Sequence, residues 1–373
     1  MKLEILQENL NQAVSIIGRL VSTRAQLPVL SNILLKAENN QLKLSATNLE
    51  TGMNLWVNAK VSQPGAVTIP ARVLSEMVAS LPPEAVVLES QGDKLTVVGG
   101  KYKASVNGIA AEEFPVVPSL TKGAEALQLD RQMLVNTVAA VALSAGTDEA
   151  RPIFTGIKLE LNKTTLRLAA TDGYRLSVKS VSGIKAGTKT KTLVVPARAL
   201  SELARVLSGL KSEGQTVLLS PSEAEKQLIL SADNVEIVTR LLEGEFPDFD
   251  KIIPTTSKTK LKLNREELLA AVRAAAVFAK DSANIVKFKV EDQNLTISAN
   301  APQVGENEVG VNVQKSGENG EIAFNSRYLL ELLNVIEAEE IILEMAGPLS
   351  PGVFKLPSDA GFLHLIMPVR VQG

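Results

Sequence analysis

One short motif, Arg-x-Leu-x-Glu, occurs three times along this chain at nearly even intervals. It reads IPARVLSE around Arg72, VPARALSE around Arg198 and FNSRYLLE around Arg327, recurring after 126 and then 129 residues. A period this long means that a whole folded unit is repeated, not a single helix or strand. In each copy an apolar, β-patterned run (66–69, 193–195, 322–324) leads into Pro70, Pro196 or Asn325, residues that stand where helices begin. The Arg and Glu lie four apart, so they are neighbours on one helical face and able to pair.

Other landmarks keep the same order. LKLSATN (42–48), LRLAATD (166–172) and LTISAN (295–300) predict alternating strands ending at Asn48, Asp172 and Asn300. Glu-Phe-Pro occurs at Glu113–Phe114–Pro115 and at Glu245–Phe246–Pro247, with no third copy. Each unit opens on an amphipathic helix. The apolar stripes are Leu10, Val14, Ile17 and Val21, then Leu134, Val138 and Val141, then Leu268, Val272, Ala275 and Ala279. Asp130 and Asn264 are expected to cap the second and third of these helices. Each unit therefore reads helix, strands, helix, strands, which predicts α+β domains with two helices against antiparallel sheets. Three such domains, at 1–121, 125–254 and 259–373, divide the 373 residues into units of ordinary domain size.

Repeats of this kind either stack openly or close, because exposed sheet edges invite pairing with another chain. Three domains in line leave a free edge at each end, and two chains joined head to tail would close a six-domain ring. An open array or a three-domain monomer is equally compatible with the repeat alone. Composition narrows the function. The absence of cysteine excludes disulfides, thiolate zinc sites and thiol nucleophiles. A net charge of −2 argues against a protein that grips nucleic acid by bulk basicity. Lys2, Glu4 and Glu8 break up the first apolar stretch and no run is long enough to span a bilayer, so a cytoplasmic protein without membrane contact is expected.

The combination of the triplication with TDGYRLS (171–177), EFPD (245–248) and MPVR (367–370) resembles the β subunit of bacterial DNA polymerase III, over essentially the whole chain. The resemblance implies a non-enzymatic sliding clamp. It would be a head-to-tail homodimer whose helices line a central hole around duplex DNA, with a continuous β surface outside. Weak, sequence-independent phosphate attraction suits such a ring, since each tight contact would have to break for it to slide. The candidate cations are Arg19, Arg24, Arg72, Arg198, Arg205, Arg273 and Lys280, on or beside predicted helices. Arg24 matches a DNA-contacting arginine of the family. The alternative for Arg72, Arg198 and Arg327 is a structural ion pair with the Glu four residues on.

The resemblance also implies a pocket between the second and third domains for short apolar-plus-glutamine peptides of polymerase and clamp-loader subunits. The matching positions are Phe154, Thr171, Gly173, Tyr174, Arg175 and Leu176, then Pro247, Lys251 and Ile252, then Asn325 and Tyr328. Leu365, Met367, Pro368, Val369 and Arg370 complete the set, with Leu349 and Ser350 as neighbours. Apolar walls with an adaptable methionine suit varied partners, and Tyr174 and Arg175 are expected to serve as polar handles. The chain departs from the family in carrying Tyr174 for a common histidine, Lys251 for a frequent arginine, and an extension through Gln372 and Gly373.

Chemistry finds few candidates. His364, the only histidine, sits in the apolar run FLHLIM and reads as a strand residue. Asp172 and Asp248 lie in turn sequences, and Val98-Gly99-Gly100-Lys101 lacks the spacing of a phosphate loop. No catalytic residue, metal or cofactor is expected. The competing classes are a repeat-built enzyme, which needs clustered titratable groups, and a protein-only scaffold without DNA.

Overall fold

The repeat landmarks fall at corresponding places in three successive runs of helices and strands. The computed structural model describes residues 1–21, 27–121, 123, 125–184, 190–209, 215–222 and 226–370. The first repeat contains β1 (Lys2–Leu6), α1 (Gln7–Ile17), β2 (Asn32–Glu38), β3 (Gln41–Thr47), β4 (Thr51–Asn58) and β5 (Lys60–Gln63). It ends with β6 (Gly65–Pro70), α2 (Ala71–Ala79), β7 (Ala85–Gln91), β8 (Lys94–Gly99) and β9 (Tyr102–Asn107). The second contains β10 (Leu127–Asp130), α3 (Arg131–Ala142), β11 (Gly156–Asn162), β12 (Thr165–Thr171) and β13 (Arg175–Ser182). It continues through β14 (Lys191–Pro196), α4 (Ala197–Gly209), β15 (Thr216–Ser222), β16 (Gln227–Ala232) and β17 (Val235–Arg240). The third contains β18 (Thr259–Asn264), α5 (Arg265–Ala279), β19 (Ile285–Glu291), β20 (Asn294–Ala301), β21 (Gly305–Asn312) and β22 (Gln314–Gly317). It closes with β23 (Gly320–Asn325), α6 (Ser326–Val335), β24 (Glu340–Met345), β25 (Gly352–Leu356) and β26 (Asp359–Ile366).

Two compact units result. One comprises Met1–Gln132 and Glu202–Leu241. It holds a five-stranded sheet, β5-β1-β7-β8-β9, and an eight-stranded sheet, β10-β15-β16-β17-β4-β3-β2-β6. The other comprises Met133–Ser201 and Leu242–Gly373. Its sheets are nine-stranded, β14-β11-β12-β13-β26-β25-β24-β18-β22, and four-stranded, β21-β20-β19-β23. Within each unit one strand pairing joins two repeats. β17 pairs antiparallel with β4, from Thr239 opposite Thr51 to Val235 opposite Leu55. β26 pairs with β13 in the same way, from Ile366 opposite Arg175 to Phe362 opposite Lys179. The last strand of the second repeat and that of the third thus each extend the sheet of the repeat before.

Helix stripes follow the sequence pattern with one exception. Leu10, Val14 and Ile17 are buried, but α1 stops at Ile17, so Val21 lies beyond it. Gly18 opens a tighter 3-10 turn there, Gly18–Leu20, and takes the chain off the helical path. Leu268, Val272, Ala275 and Ala279 of α5 are fully enclosed, and Asn264 caps the helix by accepting from the amides of Glu266 and Glu267. Such a cap contributes about 1 kcal/mol. The core of the third repeat centres on Phe288, Phe324 and Phe354, with ring centroids 5.4 and 5.8 Å apart. Gly352 makes that packing possible, since a Cβ there would stand 2.3 Å from Phe324.

Strict alternation fails at the ends of β3 and β12, where Leu44 to Thr47 and Leu168 to Thr171 are all buried. One face meets the core, and the other lies in a sheet extended by the next repeat and overlaid by connecting chain. The two repeat junctions differ at their centres. Met53 faces Ile237 in the first unit, both enclosed and apolar. Ser177 faces His364 in the second, and the Ser177 hydroxyl lies 2.7 Å from His364 Nδ1 and 2.8 Å from the Ser144 hydroxyl. Burial holds His364 neutral, with its pKa pushed down to about 3.

Candidate functional site

The second-repeat turn that opens the candidate pocket is built by its own side chains. Thr171 Oγ1 donates to the Arg175 carbonyl (2.7 Å) and accepts from the Gly173 amide (3.1 Å). Asp172 Oδ1 accepts from the amides of Tyr174 (2.9 Å) and Arg175 (3.0 Å). Gly173 has φ +92°, a left-handed conformation that glycine adopts without strain. The same turn recurs in the first repeat, where Asn48 Oδ1 accepts from Glu50 and Thr51 and Leu49 takes the left-handed position at φ 74°. Asp172 is therefore turn chemistry, as its sequence setting suggests.

Arg175 departs from expectation. It is nearly buried, its Nε donates to Asp172 Oδ2 (3.0 Å), and its Nη1 donates to Glu331. Its guanidinium lies 4.4 Å from the centre of the Tyr328 ring. Two of its three nitrogens are thus committed, and it braces the pocket instead of offering an open handle. Burial, with Asp172 nearby, raises the pKa of the Tyr328 hydroxyl. The repeated Arg and Glu do not repeat their pairing. Arg72 pairs with Glu76 (2.8 Å), but Glu202 pairs with Arg205 (2.7 Å) and Glu331 with Arg175. Among the described residues, Arg198 and Arg327 form no ion pair, so the structural-pair alternative holds only for Arg72.

The C-terminal segment forms the opposite wall. The Met367 amide donates to the Tyr174 carbonyl and the Val369 amide to the Ala323 carbonyl, each at 2.8 Å. Residues 367–370 therefore run from the end of β13 to the free edge of β23. Large apolar groups stay exposed around them: Tyr174 (61%), Ile252 (46%), Leu349 (64%) and Met367 (38%). Thr171, Leu176 and Leu365 are instead buried, the two leucines in one cluster with Phe246 and Phe249. They form the floor, not the contact surface. Asn325 caps α6 through the Arg327 amide, the Ser350 amide donates to the Gly347 carbonyl, and Lys251 pairs with Asp248 (2.8 Å). Phe154 lies under Arg151, whose guanidinium is 5.2 Å from its ring centre. Leu349, Val369 and Arg370 continue into a groove of about 360 Å³ that also takes in Pro348, Ala323 and the Lys287–Glu321 pair. Sequence reasoning missed Glu331 as a pocket brace, because its spacing pointed to Arg327. Gln372 and Gly373 lie outside the described residues.

The candidate cations are exposed on their elements: Arg19 in the turn after α1, Arg72 on α2, Arg198 and Arg205 on α4, Arg273 on α5 and Lys280 at its C-cap. Arg273 donates to Asn334 (2.7 Å). Arg24 lies outside the described residues. Among the described residues no cluster of three His, Asp or Glu side chains could hold a metal, and no helix is long and apolar enough to cross a membrane.

Three family models account for the three repeats: the N-terminal, central and C-terminal domains of the DNA polymerase III beta subunit match residues 1–118, 128–248 and 250–370. The chain belongs to that family. It is 32% identical to the beta sliding clamp of Synechococcus elongatus, with full coverage of both chains. It is 29% identical to that of Bacillus subtilis, over 99% of this chain and all of the relative. The crystal structure of the Bacillus subtilis DNA polymerase sliding clamp superposes with a TM-score of 0.93 at 28% identity, covering both chains completely. The fold is that of three clamp domains, and the known role of this family is non-catalytic: to tether DNA polymerase to DNA and make it processive.

Proposed function

We propose that two copies of this chain close head to tail around duplex DNA. Each would contribute clamp domains 1–121, 125–254 and 259–373, and hold its partners through the pocket beside Tyr174 and Met367. The observation that carries this reading is the pattern of strand edges. The fourth strand of the first repeat (β4) pairs with the last of the second (β17), and the fourth of the second (β13) with the last of the third (β26). That leaves β21 and β9, the fourth strand of the third repeat and the last of the first, each at the edge of its sheet. Continuing the pattern, β21 of one copy takes β9 of the other. The register of the first junction, carried over, sets Glu308 opposite Lys103 and Val309 opposite Tyr102. Opposite charges and apolar pairs across strands favour such a ladder.

Enclosure reconciles a net charge of −2 with DNA binding. Arg19, Arg24, Arg72, Arg198, Arg205, Arg273 and Lys280 supply weak, salt-sensitive attraction to phosphate, while topology supplies retention. Among the described residues no carboxylate pairs with Arg19, Arg198, Arg273 or Lys280, whereas Arg72 and Arg205 are paired with Glu76 and Glu202. The pocket takes short peptides of polymerase and clamp-loader subunits, with Ile252, Leu349 and Met367 as apolar contacts and the Tyr174 hydroxyl as the polar one. The chain works without a cofactor or a catalytic site of its own, in the cytoplasm where the bacterial chromosome lies.

Loading onto nicked circular DNA, followed by gel filtration before and after linearisation, tests the reading. A clamp stays with the circle and leaves the linear form. Equal loss from both forms points to a protein-only scaffold, and turnover of the DNA points to an enzyme.

A further inference from the structure

One cation position recurs in the first two repeats and is absent from the third. Lys43 on β3 and Arg167 on β12 are the second residues of the matching runs LKLSAT and LRLAAT, and Thr296 holds that place in LTISAN. Both cations lie against an aromatic ring, Lys43 at 5.1 Å from the centre of Trp56 and Arg167 at 4.7 Å from that of Phe249. Both also reach the chain that leads out of their repeat. Lys43 Nζ lies 3.5 Å from the Ser119 hydroxyl. Arg167 makes a two-pronged contact with Asp250, Nη1 to Oδ2 at 3.0 Å and Nη2 to Oδ1 at 2.5 Å, while Nη1 also approaches Glu160 at 3.4 Å. The third repeat carries a threonine at that place, with no cation. In the first two repeats the cation thus reaches from a core strand to the connecting chain.

In the second repeat the connector is also a pocket wall. Asp250 belongs to the 3-10 turn Phe249–Ile252, which presents Lys251 and the exposed Ile252. This wall is not held by a sheet ladder. Phe249 anchors it below, buried edge-on against Phe246 at 6.1 Å and with Lys158 5.3 Å from its ring centre, while among the described residues Arg167 supplies the side-chain hydrogen bonds to the Asp250 carboxylate. Planar, two-pronged contact sets direction as well as distance, which a lysine cannot reproduce. We infer that Arg167 is a positioning residue for partner binding: its clasp on Asp250 fixes the turn that presents Lys251 and Ile252, without touching the bound peptide. This role rests on the pocket proposed above. The hydrogen bonds from Arg167 hold the Asp250 carboxyl below the usual carboxylate range, so the clasp stays charged at neutral pH.

The test uses the full chain and a fluorescent synthetic peptide with one glutamine and two large apolar residues, titrated by anisotropy. Arg167→Ala and Asp250→Ala should each weaken binding about ten-fold and speed amide exchange in 247–253, with the thermal midpoint nearly unchanged. The swap Arg167→Asp with Asp250→Arg should recover most of the affinity, which a change in bulk stability would not do. A control lacking 367–373 separates the two readings. If that control loses binding while Arg167→Ala and Asp250→Ala bind as the unsubstituted chain does, the pocket stands and the positioning role is overturned. If the single variants weaken binding and the swap restores nothing, the clasp is also overturned. If the unsubstituted chain does not bind the peptide, the pocket and the role fall together.

Discussion

At the scale of residues, identity of type does not guarantee identity of partner. Three Arg-x-Leu-x-Glu motifs make three equal pairs one reading, yet Glu202 turns to Arg205 and Glu331 to Arg175, where burial makes a charged partner far more valuable than at an exposed site. Sequence spacing reports what lies on one helix face; it is silent about a side chain arriving from another repeat. His364 teaches the complementary lesson. Its apolar neighbours mark it correctly as a strand residue, but the Ser177 hydroxyl that meets it, and the Ser144 hydroxyl behind that, come from distant positions. Its protonation makes a prediction. The folded pKa is about 3 against an ordinary 6.5, so the unfolded chain binds one more proton between those values. Its contribution to stability is complete above pH 6.5 and is lost as the pH falls toward 3, with a limiting slope of about 1.4 kcal/mol per pH unit. Replacing Ser177→Met and His364→Ile copies the apolar pair Met53 and Ile237 of the other junction. Urea midpoints measured from pH 7.5 to 5 should then lose about one proton's worth of slope; an unchanged slope would show that His364 does not titrate this way.

At the scale of elements, periodicity served well where one face of an element decides its fate. The stripes of α1, α3 and α5 and the strands before each motif were legible for that reason. It served poorly where two surfaces meet. The ends of β3 and β12 are buried on both faces, and α1 ends a turn early at Gly18 because a local 3-10 preference overrides the stripe. The pocket residues were legible only through family resemblance, since composition does not distinguish Leu176 and Leu365, which form the floor, from Ile252 and Met367, which remain accessible. The segment 367–370 joins the rest through the Met367 amide just before β13 and the Val369 amide on the edge of β23, so it is added to a finished core. Deleting 367–373 should therefore abolish peptide binding while the far-ultraviolet dichroism and the dimer persist. Retained binding in a calorimetric titration would remove this segment from the pocket.

At the scale of the whole molecule, the repeat was the most legible feature, and the pairing of its strands could not be read at all. Nothing in the sequence of β17 or β26 announces that its partner belongs to the preceding repeat. The proposed closure makes a prediction at this scale. Lys103→Glu should weaken dimerisation at least several-fold in sedimentation equilibrium, and adding Glu308→Lys should restore it; failure of the pair to rescue would overturn the register. The two open edges carry a further consequence. β21 bears Glu306 and Glu308, while β9 bears Lys103. An edge of either kind meeting its own likeness brings like charges together, and only the unlike meeting neutralises them. The borders therefore carry polarity, as the two ends of a magnet do: charge disfavours pairing of like edges and favours the directional meeting of β21 with β9.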